Sequence, residues 1–415
     1  MKVLALVPSF FGPSGDAVNE RQLLIALAKK VKKCYIITFV GFKQIFTKRR
    51  AELKIVLPKN MILIPLPLPQ IHVLSIYFAA IIVSCFISII GLMLNMLKKI
   101  DLIYIRNSFL SIGFLTFRSL AQKTIVKISA IVEDEIVDKG VIRFLIEKSA
   151  SFMDRLVLAR AGKVAVNDKL FYYELVRRRL FKHKDEPLEI SPGIDSSLTE
   201  RIKKQVNKKV SLMSLKKECY IVGFLGLITW WQGADILVKS IVKLRNSGLD
   251  KPVKLLLVGD GPERARIEEL CKKLGVNYEI TGFIRHDKAL EYLSIFDVLV
   301  LPRRRISTTE SIIPIKVIEA WALGVPVVVT KNKVFEFHNF KDCEDIVYCE
   351  PTPESVAEAL VKILSSVELR KKLSERGPQI AKRFDYQLIS KGIIEAFSNK
   401  SDRMNCEKVT KEKII

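Results

Sequence analysis

Short, nearly unbroken apolar runs alternate along the chain with longer stretches in which apolar residues recur every three or four positions. The short runs of the first half are Val3–Val7, Cys34–Phe39, Met61–Pro65, Leu102–Ile105, Thr124–Ile131 and Lys163–Val166. Those of the second half are Tyr220–Leu225, Lys254–Val258, Tyr278–Thr281, Val298–Leu301, Pro326–Val329 and Ile346–Tyr348. Continuous rather than alternating hydrophobicity predicts strands covered on both faces. The longer stretches predict amphipathic helices. Ile267, Leu270, Cys271 and Leu274 share one helical face that Gly275 closes, and Val356, Leu360, Ile363 and Leu364 share another. Strand–helix alternation, run through twice, predicts an α/β protein with two doubly wound parallel-sheet, Rossmann-like domains. The seam is expected near Pro192-Gly193, giving domains over 1–192 and 193–385 and a polar tail over 399–415.

The 415 residues are 49% hydrophobic, which suits globular domains with their own cores. The formal net charge of +24 points to an anionic partner: a membrane surface, a phosphate-rich substrate or nucleic acid. Lys and Arg are spread throughout and no nucleic-acid-binding signature occurs, so no nucleic-acid partner is expected. Seven cysteines without a CxxC pair argue against a disulfide framework or a zinc site, and no metal is expected. The N-terminus lacks the pattern of a signal peptide, and the expected location is cytoplasmic. From Val73 to Leu97 there is no formal charge, and Lys98-Lys99 follow. A bilayer span would put neighbouring strands on opposite sides of the membrane and break the sheet. A span is therefore not the leading reading; ahead of it stand a helix buried in the first domain and a peripheral membrane contact flanked by basic residues.

Open parallel sheets bind ligands beyond the carboxyl ends of their strands. Three loops there contain candidate chemistry. The first, Pro8 to Asp16, holds Gly12 and Gly15 ahead of a helix expected from about Val18; it reads as a phosphate loop or as an ordinary βα connection. The second, Gly259-Asp260-Gly261-Pro262, is by itself a good strand-to-helix turn. The third runs from Arg303 past Glu310 to a helix starting near Pro314 and stopping at Gly324. On that helix Glu319 lies between Ile315 and Leu323, where a carboxylate is costly unless it is satisfied. It would either pair with Lys316 or accept hydrogen bonds from the diol of a sugar or ribose.

In order, the second half contains Gly223-Phe224-Leu225-Gly226 with Trp231-Gln232-Gly233-Ala234-Asp235, then Leu257 to Pro262, Thr281-Gly282-Phe283, Phe296-Asp297-Val298 through Pro302, and Pro314 to Ala320 with Gly324-Val325-Pro326. Over about residues 220–350 this resembles glycosyltransferase family 4, the group-1 glycosyltransferases. These are retaining enzymes of the GT-B type, with two Rossmann-like domains facing across a cleft. The first half matches more loosely, through Phe11–Gly15 and Pro192-Gly193-Ile194-Asp195, and the helix 386–398 resembles the family's segment that returns to the first domain.

The resemblance implies a metal-independent hexosyl transfer from a nucleotide-sugar co-substrate, with no other cofactor, to a glycan or lipid-linked hydroxyl acceptor. On the donor side it implies Gly15, Gly226, Gln232, Gly233, Gly259, Gly261, Arg304, Ile313 and Glu319, with Glu319 on the ribose. Three departures matter, one being that the histidine common in the family's acceptor domain has no evident match here. The Arg and Lys that bracket the first phosphate loop in many members read Leu227 and Gln232 here, so Arg303, Arg304 or Lys316 is expected to supply the charge. The first glutamate of the family's E-x7-E falls on Ser311, with Glu310 one residue earlier. Glu310, Arg303 and Lys316 are therefore the catalytic candidates. Glu133, Asp134 and Arg106 are the acceptor-side candidates, the first two just beyond the strand predicted over Thr124–Ile131. The rivals are a non-catalytic sugar-nucleotide binder and a sugar-nucleotide epimerase.

Overall fold

A computed structural model of the chain describes residues 1–8, 10, 15–41, 57–68, 88–89, 92–93, 100–106, 113–129, 159–177, 186–206 and 218–397. The chain divides into two units. The first comprises Met1–Gly12, Glu20–Ser191 and Tyr386–Ile415, and the second Pro13–Asn19 and Pro192–Asp385.

In the first unit the strands are β1 (Lys2–Leu6), β2 (Lys33–Gly41), β3 (Met61–Leu68), β4 (Leu102–Arg106), β5 (Thr124–Ile128), β6 (Lys163–Val166) and β7 (Leu188–Glu189). They form one sheet in the order β3-β2-β1-β4-β5-β6-β7, with every pairing parallel. Helix α1 (Gly15–Ala28) connects β1 to β2, and α2 (Lys169–Arg177) follows β6. Strand β1 shows why its run is apolar throughout. Val3, Ala5 and Val7 enter a cluster with Leu23, Leu24 and Leu27 of α1, whereas Leu4 and Leu6 enter another with Phe114 and Leu120. Side chains alternate across a strand, so a sheet covered on both sides leaves no place for polar residues. The last described helix, 386–397, places Tyr386 and Ile393 in the cluster that holds α1. Strand β3 keeps Pro65 and Pro67 because it is an edge strand and they sit two residues apart, on the side that needs no ladder donor.

The second unit repeats the plan with β8 (Tyr220–Leu225), β9 (Val253–Val258), β10 (Tyr278–Ile280), β11 (Val298–Leu301), β12 (Val327–Thr330) and β13 (Val347–Cys349). Its all-parallel order is β10-β9-β8-β11-β12-β13, so the strand order reverses between β8 and β11. That switch point opens a crevice at the carboxyl ends of the strands. The helices that serve the site are α3 (Ser196–Val206), α4 (Ala234–Lys243), α5 (Arg264–Lys273), α6 (His286–Ser294), α7 (Ser307–Ser311), α8 (Ile315–Leu323) and α9 (Lys333–Phe337). Helix α8 is buried from Val317 to Leu323 and ends on Gly324 in the left-handed conformation, φ 75°. A side chain would be strained there, which is why glycine stops the helix.

Some expectations shift. Helix α1 begins at Gly15, not Val18. Strand β5 ends at Ile128, before Ile131. Strand β7 has two residues at a sheet edge, too short to leave a hydrophobic pattern. Of the stretch 73–97, only 88–89 and 92–93 are described, all helical; Leu92 packs on the second apolar cluster while Ile89 and Met93 are exposed. The rest of that stretch, Glu133, Asp134 and the tail 399–415 lie outside the described residues. Among the described residues no helix is long and apolar enough to cross a membrane.

Candidate functional site

The loops after β8 and β9 are laced together by backbone. Gly226 N–H donates to Val258 O at 2.9 Å and Ile228 N–H to Asp260 O at 2.8 Å, continuing the strand pairing past the strand ends. The glycines follow from this. A Cβ on Gly259 would lie 1.9 Å from Gly226 O, and one on Gly261 would lie 2.4 Å from Ile228 O. A Cβ on Gly233 would lie 2.0 Å from Pro302 O, where β11 runs out. These positions are glycine because loop backbones touch one another, a reason visible without any ligand. Asp260 fixes the turn: its carboxylate accepts from Gly261 N–H at 2.8 Å and from Arg264 of α5 at 3.0 Å.

Gly226 differs. Its missing side chain leaves room for the Lys316 ammonium, 2.4 Å from where a Cβ would stand. Lys316 is the second residue of α8; its Nζ lies 3.5 Å from Gln232 Oε1 and 5.3 Å from the centre of the Phe224 ring. Gln232 itself is buried. Beside Lys316 is Arg303, 7% exposed, with its guanidinium 5.2 Å from the Trp231 ring centre and its Nε without a hydrogen-bond partner among the described residues. Among the described residues, neither cation has a carboxylate oxygen within 4.0 Å. Burial and the Arg303 charge push the Lys316 ammonium down to about 7, against the opposing influence of Glu319, and burial pushes Arg303 down to about 10. A lysine in the first turn of a helix also opposes the macrodipole. Two desolvated cations and a helix N-terminus thus converge, with neither cation in an ion pair among the described residues. An anion is the group that satisfies all three.

Glu319 is buried on α8, as its position on the helix suggested, but its partner is not Lys316. Its Oε1 pairs with His286 Nε2 at 2.6 Å, from the first turn of α6. His286 leaves little trace in the sequence: its only signal is its place five residues after Thr281.

The remaining donor-side candidates divide. Arg304 is committed elsewhere: it grips both oxygens of Asp235 on α4 at 3.0 and 2.8 Å and donates to Trp230 O. It fastens the loop after β11 to the loop after β8 and is not a spare cation. Glu310 on α7 accepts from Lys333 N–H, which opens α9, at 3.1 Å, and lies 3.7 Å from Arg305. Ser311 is buried and donates to Ser307 O at 2.8 Å, so its hydroxyl serves its own helical turn. Ile313 is buried in the turn before α8. Gly15 is the exposed first residue of α1.

In the first unit, Arg106 ends β4 with its Nε 3.8 Å from Glu20 Oε1. Lys127 Nζ donates to the same oxygen at 2.8 Å, and Tyr104 Oη donates to Oε2 at 2.7 Å. Burial alone would raise the Glu20 carboxyl; the Lys127 and Arg106 charges outweigh it and hold it below the ordinary range. The group anchors α1 to β4 and β5 at the carboxyl end of the sheet. Lys127, the one charged residue of that buried strand, was the signal for it.

Residues 211–380 match the family described as Glycosyl transferases group 1. A D-inositol 3-phosphate glycosyltransferase of Corynebacterium urealyticum is 25% identical over 224 residues, covering 52% of this chain and 51% of that protein. This chain spans about half the length of the curated relatives it matches first. Among solved structures, a sucrose-phosphate synthase from Thermosynechococcus elongatus superposes with a TM-score of 0.73 at 18% identity, covering 97% of this chain and all (100%) of that one. Anabaena Alr3699/HepE in complex with UDP and glucose gives 0.68 at 17%, covering 96% and 100%. At such identities the structural likeness establishes the fold, the GT-B pairing of two parallel-sheet α/β domains. What these comparisons show for the chain is a domain over residues 211–380 that matches the group 1 glycosyl transferases.

Proposed function

We propose that this protein transfers a hexosyl group from a nucleotide-sugar donor to a hydroxyl of a glycan or lipid-linked acceptor, with retention of configuration and without a metal ion. The observation that carries the reading is the pair of desolvated cations, Arg303 and Lys316, at the amino end of α8 with no carboxylate within 4.0 Å among the described residues. A nucleoside diphosphate leaving group supplies the anion they need. Its charge grows as the glycosidic bond breaks, so fixed cations in a desolvated crevice stabilise the transition state more than the ground state. Glu319 lies one turn further along α8, within reach of the nucleoside's ribose.

On the acceptor side, Arg106 and its neighbours offer positive charge at the carboxyl end of the first sheet. The net charge of +24 and the uncharged stretch 73–97 favour an acceptor at an anionic membrane surface. A non-catalytic nucleotide-sugar binder is the second reading, favoured by the engagement of Glu310 with Arg305 and α9.

The test is to incubate the purified protein with UDP-, GDP- and ADP-linked hexoses, with and without a membrane extract, and to follow the nucleotide and the sugar. Nucleoside diphosphate released only when acceptor is present supports the transferase. Saturable binding without turnover supports the binder, and an isomerised donor supports an epimerase.

A further inference from the structure

Glu319 has two carboxylate oxygens in unequal surroundings. Oε1 is taken by His286 Nε2 at 2.6 Å, and that contact ties α8 to the first turn of α6. Oε2 has no hydrogen-bond partner among the described residues and is not among the atoms sealed from solvent. Helices α6 and α8 pack on each other and α3 packs on both, so the pair sits on a rigid base. His286 keeps a side-chain exposure of 21% and Glu319 only 6%. With Nε2 as the donor to the Oε1 acceptor, the imidazole orients the carboxylate and takes one of the two acceptor positions of Oε1.

We infer that His286 is a positioning residue for nucleotide recognition: it holds Glu319 in one rotamer and competes for Oε1, so that a ribose is read mainly through Oε2, by one of its two hydroxyls. A carboxylate free on both oxygens would take the 2′- and 3′-hydroxyls together. Here the two hydroxyls are unequal. The inference rests on the reading that Glu319 binds the donor ribose.

The test uses calorimetric titration with UDP, GDP and ADP, then with the 2′-deoxy and 3′-deoxy forms of whichever binds most tightly. In the wild-type protein, removing one hydroxyl weakens binding about 10- to 100-fold and removing the other changes it by less than about 3-fold. In His286→Ala the two deoxy forms converge to within about 3-fold of each other, because Oε1 is released and the rotamer is freed. His286→Gln, whose amide still donates, keeps the wild-type asymmetry. Thermal melting confirms that each variant is folded. If His286→Ala weakens the parent nucleotide and both deoxy forms by one common factor, or leaves the asymmetry intact, the positioning role is overturned. If the wild-type protein is indifferent to both hydroxyls, or binds none of the three nucleotides, the ribose reading of Glu319 is what fails.

Discussion

Lys316 delivers its ammonium to the side chain of Gln232, with Nζ 3.5 Å from Oε1. Position 232 is where the resemblance to group-1 glycosyltransferases implies a lysine. The positive charge missing from the loop after β8 therefore enters the same space from α8, through the gap left by the absent side chain of Gly226. This account predicts that charge, and not its place of origin in the chain, is what the crevice requires. Lys316→Gln should weaken nucleoside diphosphate binding about 10- to 100-fold, as expected for losing a desolvated charge-assisted contact. Adding Gln232→Lys to that variant should recover most of the loss in the same titration.

The pH dependence follows from the depressed lysine. Lys316 is pushed down to about 7, below its ordinary range, so between about pH 7 and pH 10 the unfolded chain holds a proton that the folded chain lacks. Raising the pH through that window therefore stabilises the ligand-free fold, and the full cost of the buried charge is present below it. Lys316→Met should unfold at higher urea than the wild type at about pH 6, with the gap closing towards about pH 10. A bound diphosphate reverses the preference and draws a proton onto the amine. Binding at about pH 8 should then take up protons, seen as a binding heat that changes with the ionisation enthalpy of the buffer.

Backbone contact, rather than backbone conformation alone, fixes the glycines of the crevice. Gly259 and Gly248 both have positive φ, 148° and 71°, but a Cβ meets Gly226 O at 1.9 Å in the first and nothing within 4 Å in the second. Gly248→Ala should cost ~1 kcal/mol of stability, from left-handed strain. Gly259→Ala should cost ~3 kcal/mol or more, because two loops must part. Urea unfolding of the two variants measures the difference.

Arg304 should behave as a structural residue. Its bidentate hold on Asp235 joins the loop after β11 to α4. In a double-mutant cycle, Arg304→Met and Asp235→Asn should show a coupling of ~1–2 kcal/mol in stability, tempered by the exposure of the guanidinium. Direct phosphate binding by Arg304 would instead appear as lost nucleotide affinity in Arg304→Met but not in Asp235→Asn.

Much of this was legible in the chain, for physical reasons that particular residues make plain. The central strands were legible because they are covered on both faces, so that even β1 carries no polar position after Lys2. Glu319 was legible because a carboxylate flanked by Ile315, Val317, Ile318 and Leu323 has to be explained. Its partner was not: helical spacing favours Lys316, whereas the contact comes from His286 on another helix, and long-range pairing leaves no periodic trace. The glycines were recognised as places of close approach, but a sequence cannot distinguish a loop pressed against a ligand from one pressed against another loop. Arg303 and Arg304 stand side by side and look equivalent; their separate fates depend on Trp231 and Asp235, which only the folded chain brings to them. The Glu20–Lys127–Tyr104 group was missed altogether, although a lone lysine in the β5 run pointed to it.

The most direct test of the central claim is an experimental structure with a nucleoside diphosphate bound. The account predicts the diphosphate against Arg303 and Lys316 at the amino end of α8, and a ribose hydroxyl on Oε2 of Glu319. A nucleotide bound with its phosphates out of reach of both cations, or with its ribose turned away from Glu319, would contradict it.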